Sequence, residues 1–177
     1  MLDELRQLEK AKYDRMYNDP EGGYGHKYCG RKAIPILKEY EVKSCLDVGC
    51  GDNKFAIDLR NSGIVAIGID FSCPDADIVA PAHQLPFPDK SFHWVTSFDM
   101  LEHLLPEEVD QVFAEFARVA IVGWCFSISF RESKFRYKDE QIPLHPTIQP
   151  KEWWIEKIRQ YIPNVLERKK YIYGVLK

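Results

Sequence analysis

Few things are in short supply in this chain of 177 residues, but each shortage excludes a class of protein. Surplus charge is small: 24 Lys and Arg stand against 27 Asp and Glu, and a net charge of −3 gives no general attraction to nucleic acid or an anionic membrane. No apolar run is long enough to span a bilayer, and Met1-Leu2-Asp3-Glu4 does not read as a signal peptide. The five cysteines, at positions 29, 45, 50, 73 and 125, include no C-x-x-C pair. Because Cys45 also sits inside an apolar run, reduced thiols in a cytoplasmic protein are expected rather than disulfides or zinc. Repeats and low-complexity tracts are missing too. What remains is an ordinary apolar share of 45% in a length that suits one compact domain with a sizeable core.

The chain is organised around Lys43 to Asp70, KSCLDVGCGDNKFAIDLRNSGIVAIGID. Cys45-Leu46-Asp47-Val48 reads as a buried strand ended by Gly49-Cys50-Gly51. A helical stretch carrying Phe55, Ile57 and Leu59 follows, and Asn61-Ser62-Gly63 stops it. Ile64 to Ile69 makes a second buried strand that finishes on Asp70. Strand, glycine turn, helix, strand and acid form a βαβ unit suited to a nucleoside. The glycines let backbone approach a ligand, and the helix start presents free N–H groups towards it. Asp70 is placed to accept hydrogen bonds from two ribose hydroxyls. A dinucleotide fingerprint would need a third glycine where Lys54 stands. Asp47 at the first strand's end suits an ammonium group and would repel a pyrophosphate. An amino-acid-bearing nucleoside such as S-adenosylmethionine (SAM) has that ammonium.

LDVGCGDN here resembles the first motif of the class I SAM-dependent methyltransferases, and GID their second-strand acid. AHQLPFPDKSFHWV (Ala82 to Val95), SFDMLEHL (Ser97 to Leu104) and EEVDQVFAEFARVA are similar, in order and spacing, to segments of the type-11 subgroup. The resemblance spans about Lys43 to Phe130. It implies an α/β, Rossmann-like, doubly wound and mostly parallel sheet with an antiparallel C-terminal strand and N-terminal helices over the pocket. One domain over 1–177 is expected, with a helical cap at 1–42, a SAM-binding core at 43–130, and a substrate loop, helix and strand at 131–177. Cofactor contacts are then expected from Asp47, Gly49, Cys50, Gly51, Asp70, Phe71, Ala82, His83 and Phe98. Pro81 departs from the pattern, since many members carry there an aspartate that bonds the adenine amino group; the Ala82 N–H and His83 are left to flank the ring.

Outside the core, Leu2, Leu5, Leu8, Tyr13, Met16 and Tyr17 fall at helical spacing over about residues 1–18. A second helix, entered or interrupted by Pro35, is expected to end near Tyr40. Tyr13, Tyr17, Tyr24, His26 and Tyr28 are candidate pocket residues by this resemblance, or else pack the helices on the sheet. FSCPDADIVAPAH leaves little room for a crossover helix before a third strand at Ala76 to Val79, so an irregular link is expected. A fourth strand is expected at Ser91–Phe98, a helix from Pro106 to about Arg118, and a fifth strand at Val122–Phe130. A further helix opens at Pro150. Val165 to Leu176 reads as one antiparallel strand beside the fifth, or a tight pair.

Methyl transfer to a hydroxyl or amine of a small, anionic or sugar-like acceptor is the implied activity. A hydroxyl acceptor would call for a base. His145 and His103 are the catalytic candidates, and Tyr17, Tyr24, His26, Arg131 and Arg136 the acceptor-binding ones. No metal, nucleic acid or membrane partner is expected, and a monomer or homodimer suits the length. The competing readings are a SAM-binding pseudoenzyme that regulates a partner, a nicotinamide-dependent oxidoreductase disfavoured by Lys54, and a nucleic-acid methyltransferase, for which Ser97-Phe98-Asp99-Met100 lacks the expected prolines.

Overall fold

The computed structural model describes residues 1–19, 30–133 and 143–177. Helix α1 (Leu2–Asn18) comes first, and a 3-10 turn at Arg31–Ala33 runs into α2 (Ile34–Glu39). Pro35 stands in the first turn of α2, where a missing N–H costs nothing. Strand β1 (Ser44–Val48), helix α3 (Lys54–Asn61) and strand β2 (Val65–Asp70) form the βαβ unit read in the sequence. Then come β3 (Ile78–Val79), β4 (Phe92–Phe98), α4 (Val109–Val119), β5 (Ala120–Ser127), α5 (Lys151–Arg159), β6 (Leu166–Arg168) and β7 (Tyr171–Val175).

All seven strands share one sheet in the order β3-β2-β1-β4-β5-β7-β6. Pairings from β3 through β5 are parallel, and β7 runs antiparallel to both its neighbours. The strand order reverses at β1, which pairs with β2 on one side and β4 on the other. In open α/β sheets a ligand crevice forms at such a reversal, beyond the carboxyl ends of the strands.

Alternation along the strands divides the core into two layers. Leu46, Val48, Val95, Trp124 and Phe126 face α4 and α5, where Phe113, Phe116, Trp154 and Ile158 meet them. Phe113 stacks on Trp124 with centroids 5.7 Å apart. Cys45, Trp94, Cys125 and Tyr173 face the other way, towards Ile36 and Leu37 of α2 and Phe55 and Leu59 of α3. The fold is therefore α/β and doubly wound. Helix α1 stands apart: its Tyr13 and Met16 join Leu144 in a small satellite cluster with Tyr17 and Phe71 at its edge.

Strands β5 and β3 differ in extent from the sequence reading. Strand β5 starts at Ala120 rather than Val122, because α4 ends at Val119 and hands the chain straight to the sheet, where Ala120 pairs with Phe92; it ends at Ser127 rather than Phe130, where its pairing with Phe98 closes the ladder. The C-terminal stretch takes the tight-pair form of the two expected for it, and β7 lies beside β5. Strand β3 is only Ile78–Val79, and residues 71–77 link it to β2 without a helix. So short an edge strand leaves the Gly68 N–H of β2 without a ladder partner. The carboxylate of Asp77 accepts that N–H at 2.8 Å and also takes the Arg60 guanidinium at 2.8 Å. One side chain thus does the work of a missing rung. Replacing Asp77 by Ala orphans the half-buried donor and should lower stability by about 1–3 kcal/mol in urea unfolding, with Asp77→Asn losing less. An unchanged unfolding midpoint in Asp77→Ala would remove this role.

Candidate active site

The carboxyl ends of β1, β2 and β4 open on a cleft of about 380 Å³, within the usual size of a small-ligand site. Val48, Gly49, Asp70 and Phe71 line its floor, Val79 to His83 one wall, and Asp99, Met100, His103 and Leu104 the other. Helix α1 forms the roof with Arg6, Glu9, Lys10, Tyr13 and Tyr17. The roof is tied down by Arg6 to Glu108 at 2.8 Å and by Asp14, which accepts the Ser72 hydroxyl.

Asp70 is the hub of the floor. Its Oδ2 accepts the Gly51 N–H at 3.1 Å, and its Oδ1 accepts the N–H groups of Ser72 at 3.0 Å and Cys73 at 2.9 Å. Those bonds tie the glycine turn after β1 to the turn after β2. Gly49, at φ +75°, has no room for a side chain: a Cβ there would lie 2.3 Å from the Met100 Cγ. With that spacing, the turn brings bare backbone to the cleft.

Asp47 lies one layer deeper, 3% exposed, and does not line the cleft. Its Oδ1 accepts the Thr96 hydroxyl at 2.8 Å. Burial pushes its carboxyl up to about 7, and Asp70 nearby adds to the rise, while the Thr96 hydrogen bond opposes it. A buried carboxyl near neutrality is poised to ionise when a cation arrives.

At the opposite wall, Leu101–His103 forms a 3-10 turn that the sequence reading did not contain. It places His103 on the cleft, with Nδ1 2.5 Å from the Tyr13 hydroxyl of α1. Burial drives the His103 pKa down to about 3, and the neighbouring His145 and Lys12 push the same way, so the ring is neutral. His145 packs edge-on against it, centroids 4.6 Å apart, and its Nδ1 is 2.8 Å from the Arg131 carbonyl. Glu102, 1% exposed, accepts the Ser129 N–H at 3.0 Å. Burial raises its carboxyl to about 8.

Of the residues singled out in the sequence, the cleft gathers Tyr17, Gly49, Asp70, Phe71, Ala82, His83 and His103. Asp47, Cys50 and Gly51 lie beneath or beside it, and His145 stands behind His103. Phe98 goes elsewhere: its ring packs on Phe55 at 4.9 Å and Tyr171 at 5.6 Å, on the α2–α3 face. Arg131 is exposed, with its carbonyl turned to His145. Tyr24, His26, Tyr28 and Arg136 lie outside the described residues. The sequence reading missed Thr96, Glu102 and the cleft-facing charges of α1. Arg6, Glu9, Tyr13 and Tyr17 recur every three to four residues, and that stripe was the available signal.

Residues 46–126 match the family described as "Methyltransferase domain". No curated protein matches the chain by sequence. Among solved structures, a Burkholderia thailandensis 1,6-didemethyltoxoflavin-N1-methyltransferase, holding 1,6-didemethyltoxoflavin and S-adenosylhomocysteine, superposes with TM-score 0.73 at 14% identity, over 99% of this chain and 90% of that one. The PH0226 protein of Pyrococcus horikoshii OT3 superposes with TM-score 0.66 at 19% identity, over 92% and 95%. A Haemonchus contortus phosphoethanolamine N-methyltransferase 2, bound to phosphomonomethylethanolamine and S-adenosylhomocysteine, gives TM-score 0.60 at 17% identity, over 93% of this chain and 44% of that one. At these identities the likeness concerns the fold.

The state of Asp47 sets a pH signature for the ligand-free protein. Its folded pKa of about 7 exceeds the ordinary 3.8, so between those values the folded state keeps a proton that the unfolded state has lost. This carboxyl therefore contributes a loss of stability as pH rises from about 4 to about 7. Asp47→Asn cannot ionise, so its Tm should fall less than the wild type's between pH 5 and pH 8. Parallel Tm profiles would show that Asp47 is not the proton holder.

Proposed function

Residues 46–126 belong to the methyltransferase-domain family, SAM-dependent enzymes of the class I fold, and we propose that this protein moves the SAM methyl group to a hydroxyl or amine of a small acceptor. The observation that carries the reading is the Asp70 carboxylate on the cleft floor, fastened to the glycine turn beside it. The residues present suit this cofactor. Asp70 offers acceptor oxygens to ribose hydroxyls, and the turn at Gly49, where Met100 leaves no room for a Cβ, presents bare backbone to the cleft. Asp47, one layer below the floor and pushed up to about 7 by burial, shifts towards its ionised form when the cofactor's ammonium arrives. Ala80, Pro81 and Ala82 give an apolar wall for the adenine, with Phe71 close by, and the Ala82 N–H is the donor on that wall.

When bound, SAM supplies a methyl already activated on a sulfonium, so one bond forms to the acceptor as one S–C bond breaks. The protein's part is then alignment and exclusion of water. Helix α1 roofs the cleft, with Tyr13 and Tyr17 shaping its acceptor end against His103 and Leu104. A roofed cleft of this size supports a small acceptor, as bound by the Burkholderia and Haemonchus enzymes. His103, its pKa driven far below the ordinary imidazole value by burial, is too weak a base to take the acceptor's proton and orients the acceptor instead, which leaves His145 as the candidate base. Arg131, with Arg136, is assigned to an anionic group on the acceptor. Among the described residues no helix is long and apolar enough to cross a membrane. Free thiols at Cys45, Cys50, Cys73 and Cys125 support a cytoplasmic setting. There we expect a single domain over residues 1–177, working as a monomer or homodimer.

Calorimetric titration with S-adenosylhomocysteine, SAM and NAD tests this reading. S-Adenosylhomocysteine should bind, NAD should not, and Asp70→Asn should weaken the former about 10- to 100-fold. Failure to bind either nucleoside would overturn the assignment. Binding with no transfer of labelled methyl to a panel of hydroxyl and amine compounds would favour a SAM-binding regulator.

A further inference from the structure

Glu102 poses a problem that the cofactor does not solve. Its Oε1 is satisfied by the Ser129 N–H, but its Oε2 is buried and has no hydrogen-bond partner. A carboxyl oxygen buried without a partner is costly in either protonation state, and native proteins retain such a group where an ion or water meets it. Two imidazoles lie beside it. One ring nitrogen of His103, one of His145 and a carboxylate oxygen of Glu102 all lie within 4.8 Å of one another.

We propose that Glu102, His103 and His145 hold a divalent transition-metal ion at the edge of the cleft. Two imidazoles and one carboxylate are the donor set of catalytic zinc sites and suit other first-row ions, whereas Mg²⁺ prefers all-oxygen surroundings. Three protein ligands leave at least one position open for an exchangeable oxygen. Histidine ligands commonly direct their second nitrogen to a carbonyl or other polar group. Here the Nδ1 of His145 meets the Arg131 carbonyl, and the His103 ring has the Tyr13 hydroxyl at its Nδ1 and the Leu144 carbonyl within its reach, so an ion would compete with that carbonyl for the ring. Metal–ligand bonds of about 2.0–2.2 Å would require the three donor atoms to draw together by up to about 1.5 Å. His145, half-exposed in the turn that leads to α5, is the member free to make that movement.

His103 is the member of the set that lines the cleft, so the ion would border the acceptor. This consequence rests on the methyltransferase reading, although binding of the ion does not. An ion here favours a hydroxyl acceptor, because coordination lowers the pKa of an oxygen and eases its deprotonation. The hydroxyl proton passes to bulk water, the oxygen forms the new bond to the methyl carbon, and the S–C electron pair stays on sulfur to give the neutral thioether.

The test uses the full chain, stripped with a chelator and titrated with CoCl₂ while its visible ligand-field bands are followed, then with ZnCl₂ in competition. One equivalent of Co²⁺ should generate the bands and Zn²⁺ should displace it. Glu102→Gln, which keeps the shape of the side chain, and His145→Ala, in a half-exposed turn, should each weaken binding by about 100-fold or more. Circular dichroism confirms that both variants are folded. Absence of bands, or binding unchanged in both variants, would overturn the site and mark any bound cobalt as an adventitious ion. S-Adenosylhomocysteine titrated into the metal-free protein keeps the two ideas apart. Nucleoside binding without metal binding ends this inference alone, and the reverse ends the methyltransferase reading alone.

Discussion

The carboxylate of Asp70 is the contact on which the rest of the site depends. Three backbone N–H groups from two separate turns converge on its two oxygens, at 2.9–3.1 Å. Each is a hydrogen bond to a charge-bearing acceptor, stronger than a neutral pair, and together they fix where the glycine turn sits relative to β2. Since β1 and β2 are already in parallel register from Ser44 to Val48, the carboxylate completes a corner whose other edges are ladder bonds. The floor of the cleft is rigid because sheet and side chain agree about its position.

That corner was legible in the sequence for a simple reason: it is local. Strand, turn, helix and acid fall within 28 residues, and periodicity and glycine placement suffice to read them. The missing crossover helix was legible too, because chain length forbids it. Less accessible was everything set by distant partners. Asp77 caps β2 only because β3 is too short to do so, and no local pattern announces a side chain standing in for a strand. The start of β5 was misplaced because α4 and β5 are both apolar at their junction, so periodicity gives no boundary. Phe98 was assigned to the pocket from its position at a strand end; alternation sends it to the opposite face, where Phe55 and Tyr171 receive it.

The two buried carboxyls raised towards neutrality, Asp47 below the floor and Glu102 beside His103, have different surroundings. Asp47 has a hydroxyl partner and a second acid nearby, an arrangement that waits for positive charge on an organic ligand. Glu102 has two imidazoles and an unmet oxygen, an arrangement suited to an inorganic cation. The same desolvation prepares both, and the neighbours determine what each receives.

The roof and the floor are held by different forces. The floor belongs to the main core, whereas α1 rests on a small apolar patch of Tyr13, Met16 and Leu144, with polar ties through Arg6, Asp14 and Tyr13. Among the described residues, the roof leans on ion pairs and hydrogen bonds more than the sheet beneath it does. Salt, which screens such ties, should therefore loosen the roof while leaving the sheet in place.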